Sequence, residues 1–128
     1  MIGVDIVKIE RIISLVQKDK NNKVFSKQEL EYASEKVGKK SAIQTQHKMY
    51  ESLAGMFAAK EAFLKAMGEG IGGELALGDI EIVHNNIGKP SIERTEKIEQ
   101  ILKGNDFGNI DLSISHDGEY AIAVVQIN

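Results

Sequence analysis

The chain has 128 residues, a formal net charge of -3 and an isoelectric point near 5.6. That length suits a single domain, residues 1–128, with a core of its own. There is no cysteine, which excludes disulfides, thiolate metal sites and a thiol nucleophile and fits a reducing cytoplasm. Mild acidity argues against non-specific nucleic-acid binding, and no apolar run is long enough for a membrane span or a signal peptide.

In chain order, residues 2–7 alternate, with Ile2, Val4 and Ile6 on one face and Gly3, Asp5 and Val7 on the other, which predicts a strand. Ile9, Ile12, Ile13 and Val16 follow helical spacing and predict a helix over 8–19. After the polar break 19–23, Ser26 followed by Glu29 forms a capping-box signature, so a second helix starts there and runs to Lys36. Residues 38–48 are polar and aperiodic and read as a loop. A long helix is expected over 49–67, stopped by the glycines from Gly68 to Gly73. A strand is expected over 79–84, a turn through Gly88-Lys89-Pro90, a partner strand at 91–93 and a weak helix over 95–103. Residues 112–116 and 120–125 around Asp117-Gly118 read as a hairpin. The class is α+β, a mainly antiparallel sheet packed against a long helix.

Three positions break these patterns. Lys60 falls in the apolar stripe of the long helix (Leu53, Met56, Phe57, Phe63, Leu64 and Met67), where an ammonium must snorkel to water or find a partner. Asp5 interrupts an apolar strand. It faces solvent if Val4 and Ile6 face the core; alternatively it is a metal ligand, because Mg²⁺ is usually held by one or two carboxylates plus substrate phosphates. Glu61 and Lys65, spaced i,i+4 beside Ala54 and Ala58, form either a surface ion pair or a site where a carboxylate holds a hard cation and a lysine meets phosphate. His116 ends a strand at a loop edge, free to meet a phosphate, and no cluster has zinc-type spacing.

Gly3-Val4-Asp5, the helix segment Phe57-Ala-Ala-Lys-Glu-Ala-Phe-Leu-Lys-Ala66, Gly88-Lys89-Pro90, and Ser113-Ile-Ser-His116 followed by Glu119-Tyr120-Ala121 keep their order along the whole chain. Together they resemble the holo-acyl-carrier-protein synthase type of 4′-phosphopantetheinyl transferase. The resemblance implies a homotrimer with active sites between subunits. It implies coenzyme A as substrate and acyl carrier protein as partner, with neither nucleic acid nor membrane. Asp5 and Glu61 match Mg²⁺-binding carboxylates, Lys60 and Lys65 match lysines near the coenzyme A phosphates, and Gly88, Lys89, Pro90 and His116 match positions at its nucleotide end. Arg11 matches a docking position for the carrier protein on the first helix, and Lys18, Lys20 and Lys23 extend that patch by charge. Lysines stand after that helix where relatives carry arginines, and they lack the bidentate fork.

The reaction implied is transfer of 4′-phosphopantetheine from coenzyme A to a carrier-protein serine, for fatty acid biosynthesis. Glu61, directly or through a metal-bound water, takes the serine proton, and Lys65 stabilises or protonates the leaving phosphate. Two other classes compete: a non-catalytic Mg²⁺/coenzyme A-binding module, and a purely structural oligomerising domain. The latter has no use for an aspartate in a strand or a lysine in an apolar stripe.

Overall fold

The computed structural model describes residues 1–35, 42–68 and 73–128. β1 (Ile2–Lys8) leads directly into α1 (Ile9–Lys18), and α2 (Lys27–Glu35) and α3 (Ala42–Met67) follow. A single 3₁₀ turn, Leu77–Asp79, precedes β2 (Ile82–His84) and β3 (Pro90–Ile92); then come α4 (Glu96–Gly104), β4 (Ile110–Asp117) and β5 (Tyr120–Ile127). The antiparallel order is β1-β5-β4, with β5 central, and β2 and β3 form a separate hairpin whose β3 lies beside β4. This is the α+β arrangement expected, with α3 lying across β1 and β5.

α3 is buried on almost every side: each residue from Leu53 to Lys60 lies out of water. A helix hydrophobic around its whole circumference belongs in a core, and here the sheet, α1 and α2 enclose it. It begins at Ala42, so the loop expected over 38–48 is helical from 42 onward, while 38–41 lie outside the described residues. Residues 46–48 are exposed, and an exposed turn propagated from a buried helix needs no apolar period. At the other end Gly68 adopts φ 79° and donates its N–H to the Leu64 carbonyl, a glycine cap that stops the helix where expected. Residues 69–72 lie outside the described residues.

The faces of β1 are set by α3. Gly3, Asp5 and Val7 turn toward the helix, while Ile2, Val4 and Ile6 are 68%, 49% and 62% exposed. The alternative that Asp5 faces water while Val4 and Ile6 face the core is therefore corrected. Gly3 explains the choice: a Cβ there would lie 1.9 Å from the Ala62 carbonyl oxygen and 2.6 Å from the Ala66 nitrogen. Only hydrogen fits between strand and helix, so the register that brings Gly3 inward brings Asp5 inward too. β5 repeats the pattern, with Ala121, Ala123 and Val125 inside and Tyr120, Ile122 and Val124 outside. The outer face of β1 and β5 is thus an exposed apolar surface.

The remaining differences are at element ends. The capping box at Ser26 is formed as expected: Ser26 N–H donates to Glu29 Oε1 at 2.9 Å and Glu29 N–H to Ser26 Oγ at 3.1 Å. The strand expected over 79–84 shortens to Ile82–His84, because Asp79 closes the 3₁₀ turn by accepting from the Ala76 N–H. The last hairpin is longer than expected, with Asp117 paired to Tyr120 across a Gly118-Glu119 loop.

Candidate active site

Asp5 and Lys65 meet across the β1–α3 contact. Lys65 Nζ lies 2.8 Å from Asp5 Oδ1 and also donates to the Val4 carbonyl at 3.2 Å. The lysine is half exposed, whereas the aspartate side chain keeps only 15% of its surface. Glu61 is partly exposed one turn before Lys65, and α3 carries both to the flank that receives Asp5. The flank therefore offers two carboxylates beside a positive charge. Among the described residues no group of three or more metal-capable side chains gathers. Two carboxylates of hard oxygen, with no soft donor beside them, suit Mg²⁺, which completes its shell with water and substrate phosphate.

Lys60, adjacent to Glu61 in sequence, points elsewhere. It is 1% exposed, with Nζ 2.7 Å from Glu29 Oε1 and a further hydrogen bond to the Val24 carbonyl. Glu29 is equally buried, and its second oxygen accepts from the Ile82 N–H at 2.9 Å. Burial lowers the lysine pKa and the Glu29 carboxylate opposes that shift. Of the two outcomes open to a lysine in the apolar stripe, Lys60 takes the second and finds a partner. It does not snorkel to water, and its ammonium is committed to the core rather than presented to a phosphate. It joins α3 to α2, while Glu29 adds β2 to the same junction.

A second site lies beside β4. A cleft of about 330 Å³ is lined by Lys48, Glu51, Ser52 and Gly55 of α3, His84 of β2, Gly88 and Pro90 of the β2–β3 turn, and Ile114 and His116 of β4. Three predicted nucleotide-end positions, Gly88, Pro90 and His116, are brought together here, with Lys89 in the same turn. Asn85 shapes that turn, its Oδ1 accepting from the N–H groups of Ile87 and Lys89 at 3.1 and 2.9 Å. Lys48, Glu51, Ser52 and His84 were not anticipated. His84 stacks on Tyr32 with ring centroids 3.8 Å apart and an interplanar angle of 7°. Glu51 lies 3.3 Å from His116 Nδ1 and 3.4 Å from His47 Nε2. The i,i+4 spacing of His47 and Glu51 was the available signal, hidden by reading 38–48 as a loop.

Neither Asp5, Glu61 nor Lys65 lines this cleft. Asp5 and Ile114 are both in register with Ala123, so β1 and β4 stand two strand spacings apart, roughly 10 Å. The predicted site residues thus form two groups on one chain. A third surface, on α1, holds Arg11 and Lys18. They line a groove with Ser14, Leu15, Asp19, Lys23 and Val24, and the Arg11 guanidinium sits 5.6 Å from the Phe57 ring centroid. Asp19 folds the end of that groove by accepting from the N–H groups of Lys23, Val24 and Phe25.

Comparison with known proteins places this arrangement. The family model described as the 4′-phosphopantetheinyl transferase superfamily matches residues 1–125. A holo-acyl-carrier-protein synthase of Fusobacterium nucleatum is 38% identical over 128 residues, covering 98% of this chain and 96% of the relative. One from Campylobacter fetus is 42% identical over 125 residues, with 98% and 96% covered. Among solved structures, the Helicobacter pylori holo-acyl-carrier-protein synthase in complex with coenzyme A superposes with a TM-score of 0.77 at 34% identity, all of both chains covered. With its motifs, fold and relatives in agreement from end to end, the chain belongs to the 4′-phosphopantetheinyl transferase superfamily.

Proposed function

We propose that this protein is a holo-acyl-carrier-protein synthase, transferring 4′-phosphopantetheine from coenzyme A to a serine of apo-acyl carrier protein and releasing adenosine 3′,5′-bisphosphate. The observation that carries the reading is the inward turn of Asp5 onto the Glu61/Lys65 flank of α3, in a chain whose relatives bear that name over nearly their full length.

The serine oxygen attacks the β-phosphorus of coenzyme A, and the bond from that phosphorus to the bridging oxygen breaks. Glu61 takes the serine proton. Lys65, already held by Asp5, turns its ammonium to the phosphate that leaves with the nucleotide and neutralises its charge. Asp5 and Glu61 are the residues that would hold Mg²⁺, which when bound supplies charge neutralisation and orients the phosphates. Gly88, Lys89, Pro90 and His116 receive the nucleotide end.

On one chain these groups are apart, and the exposed face of Ile2, Val4, Ile6, Tyr120, Ile122 and Val124 supports an assembly that unites them. In this reading three copies associate, and the Asp5 group of one subunit faces the His116 cleft of the next. Arg11 and Lys18 dock the acidic carrier protein beside the groove on α1. No helix among the described residues is long and apolar enough to cross a membrane. The reading places the enzyme in the cytoplasm.

The test is mass spectrometry of apo-acyl carrier protein incubated with this protein, coenzyme A and Mg²⁺, with and without chelator. The expected result is a chelator-sensitive gain of one phosphopantetheine group. Coenzyme A binding without any gain, across several carrier proteins, would favour a binding module.

A further inference from the structure

The cleft read above as the nucleotide end contains a carboxylate, which is unexpected where phosphate is to bind. Glu51 is 20% exposed at its side chain, and a bare carboxylate there repels an anion. Both of its oxygens are directed at imidazoles: Oε1 lies 3.3 Å from His116 Nδ1 and Oε2 lies 3.4 Å from His47 Nε2. An imidazole that gives one nitrogen to a carboxylate has its tautomer and ring orientation set by that contact. With Nδ1 turned to Glu51, Nε2 is the nitrogen of His116 left for the cleft.

We propose that Glu51 is a positioning residue for coenzyme A binding, holding His116 by Nδ1 so that the doubly protonated ring presents Nε2–H to a ligand phosphate. This rests on the functional reading above and adds a residue to it. Glu51 acts through His116 and touches no reacting atom. His47 lies on the second oxygen, and Lys48 beside it in the same turn of α3 offsets the negative charge the arrangement introduces.

The sign of one effect separates this from its opposite. Calorimetric titration of coenzyme A into the full chain compares the parent with Glu51→Gln. If Glu51 merely sits in an anion cleft, removing its charge tightens binding. If it positions His116, binding weakens, by about fivefold for a partly exposed ion pair. In a His116→Gln background the weakening vanishes; equal weakening in both backgrounds overturns the proposal, as does a tighter or unchanged Kd. Nitrogen-15 NMR of the parent gives a test that needs no variant to fold: His116 is expected to carry a proton on Nδ1, joined by one on Nε2 when coenzyme A is bound, and a ring protonated at Nε2 alone refutes the contact. A parent that fails to bind coenzyme A overturns the functional reading and this inference with it. A parent that binds while Glu51→Gln tightens overturns the inference alone.

Discussion

Replacing Lys60 with methionine separates a structural lysine from a substrate-binding one. Methionine keeps the length of the stem and its packing near Phe25, whose ring centroid lies 5.3 Å from Nζ, and removes the ammonium, with its charge and its hydrogen bonds to Glu29 and the Val24 carbonyl. Glu29, 1% exposed, then loses its counter-ion while keeping the Ser26 and Ile82 N–H donors. Leaving one member of a buried pair uncompensated costs about 3–5 kcal/mol. With an unfolding entropy of about 2.1 cal/mol/K per residue, 128 residues give about 0.27 kcal/mol/K, so Tm falls by roughly 11–19 °C. Far-UV circular dichroism is the assay, since the chain has no tryptophan. Adding Glu29→Gln to Lys60→Met is expected to recover at least half of the loss, because the orphaned charge is gone. At a temperature where Lys60→Met is folded, its Kd for coenzyme A stays within about twofold of the parent. A fall in Tm below about 4 °C, or a Kd weakened about tenfold without unfolding, would refute the placement of this lysine in the core.

The β1–α3 contact makes a second prediction: Gly3→Ala drives a Cβ into the Ala62 carbonyl, costs about 3 kcal/mol or more, and lowers transfer activity by shifting Asp5, as a melt and a mass-spectrometric transfer assay would register. Glu61→Gln is expected to leave Tm within about 2 °C of the parent yet reduce transfer by at least about 100-fold; undiminished turnover removes it from the proposed chemistry. Lys65→Ala should slow transfer in a protein that still folds, and a normal rate would leave it as Asp5's partner only. Acid lability follows from two capping aspartates. Burial tends to raise the Asp19 pKa, but the N–H donors of Val24, Lys23 and Phe25, with the Lys60 charge, bring it below the ordinary 3.8. Asp79 is lowered by the Ala76 N–H and by Lys97. Carboxyls depressed in the fold contribute stability above about pH 4 and lose it as pH falls through their folded pKa values. Asp19→Asn and Asp79→Asn should therefore flatten the acid limb of Tm against pH below about 4, and an unchanged slope would exclude these caps.

Local signals in the chain were enough for the helix cap at Ser26/Glu29, the glycine stop after Met67, the terminal hairpin and the α+β class, because each rests on interactions within a few residues. The motif positions from Gly3-Val4-Asp5 to Ser113-Ile-Ser-His116 were enough for the family. Side-chain direction was decided elsewhere. Periodicity is indifferent to which face of β1 turns inward, and the close approach of Ala62 and Ala66 to Gly3 settled it, bringing Asp5 to Lys65. Lys60 and Glu61 are neighbours in sequence. Roughly 100° of helix rotation sends one into the core against Glu29, a residue 31 positions away, and leaves the other on the flank with Lys65. The contact of Glu51 with His116 crosses from α3 to β4, which are adjacent only in the folded chain. Capping and turn chemistry are local energies that a sequence displays. Desolvation of a charge and the choice of its partner depend on what the rest of the chain packs around it, and only the tertiary structure decides that.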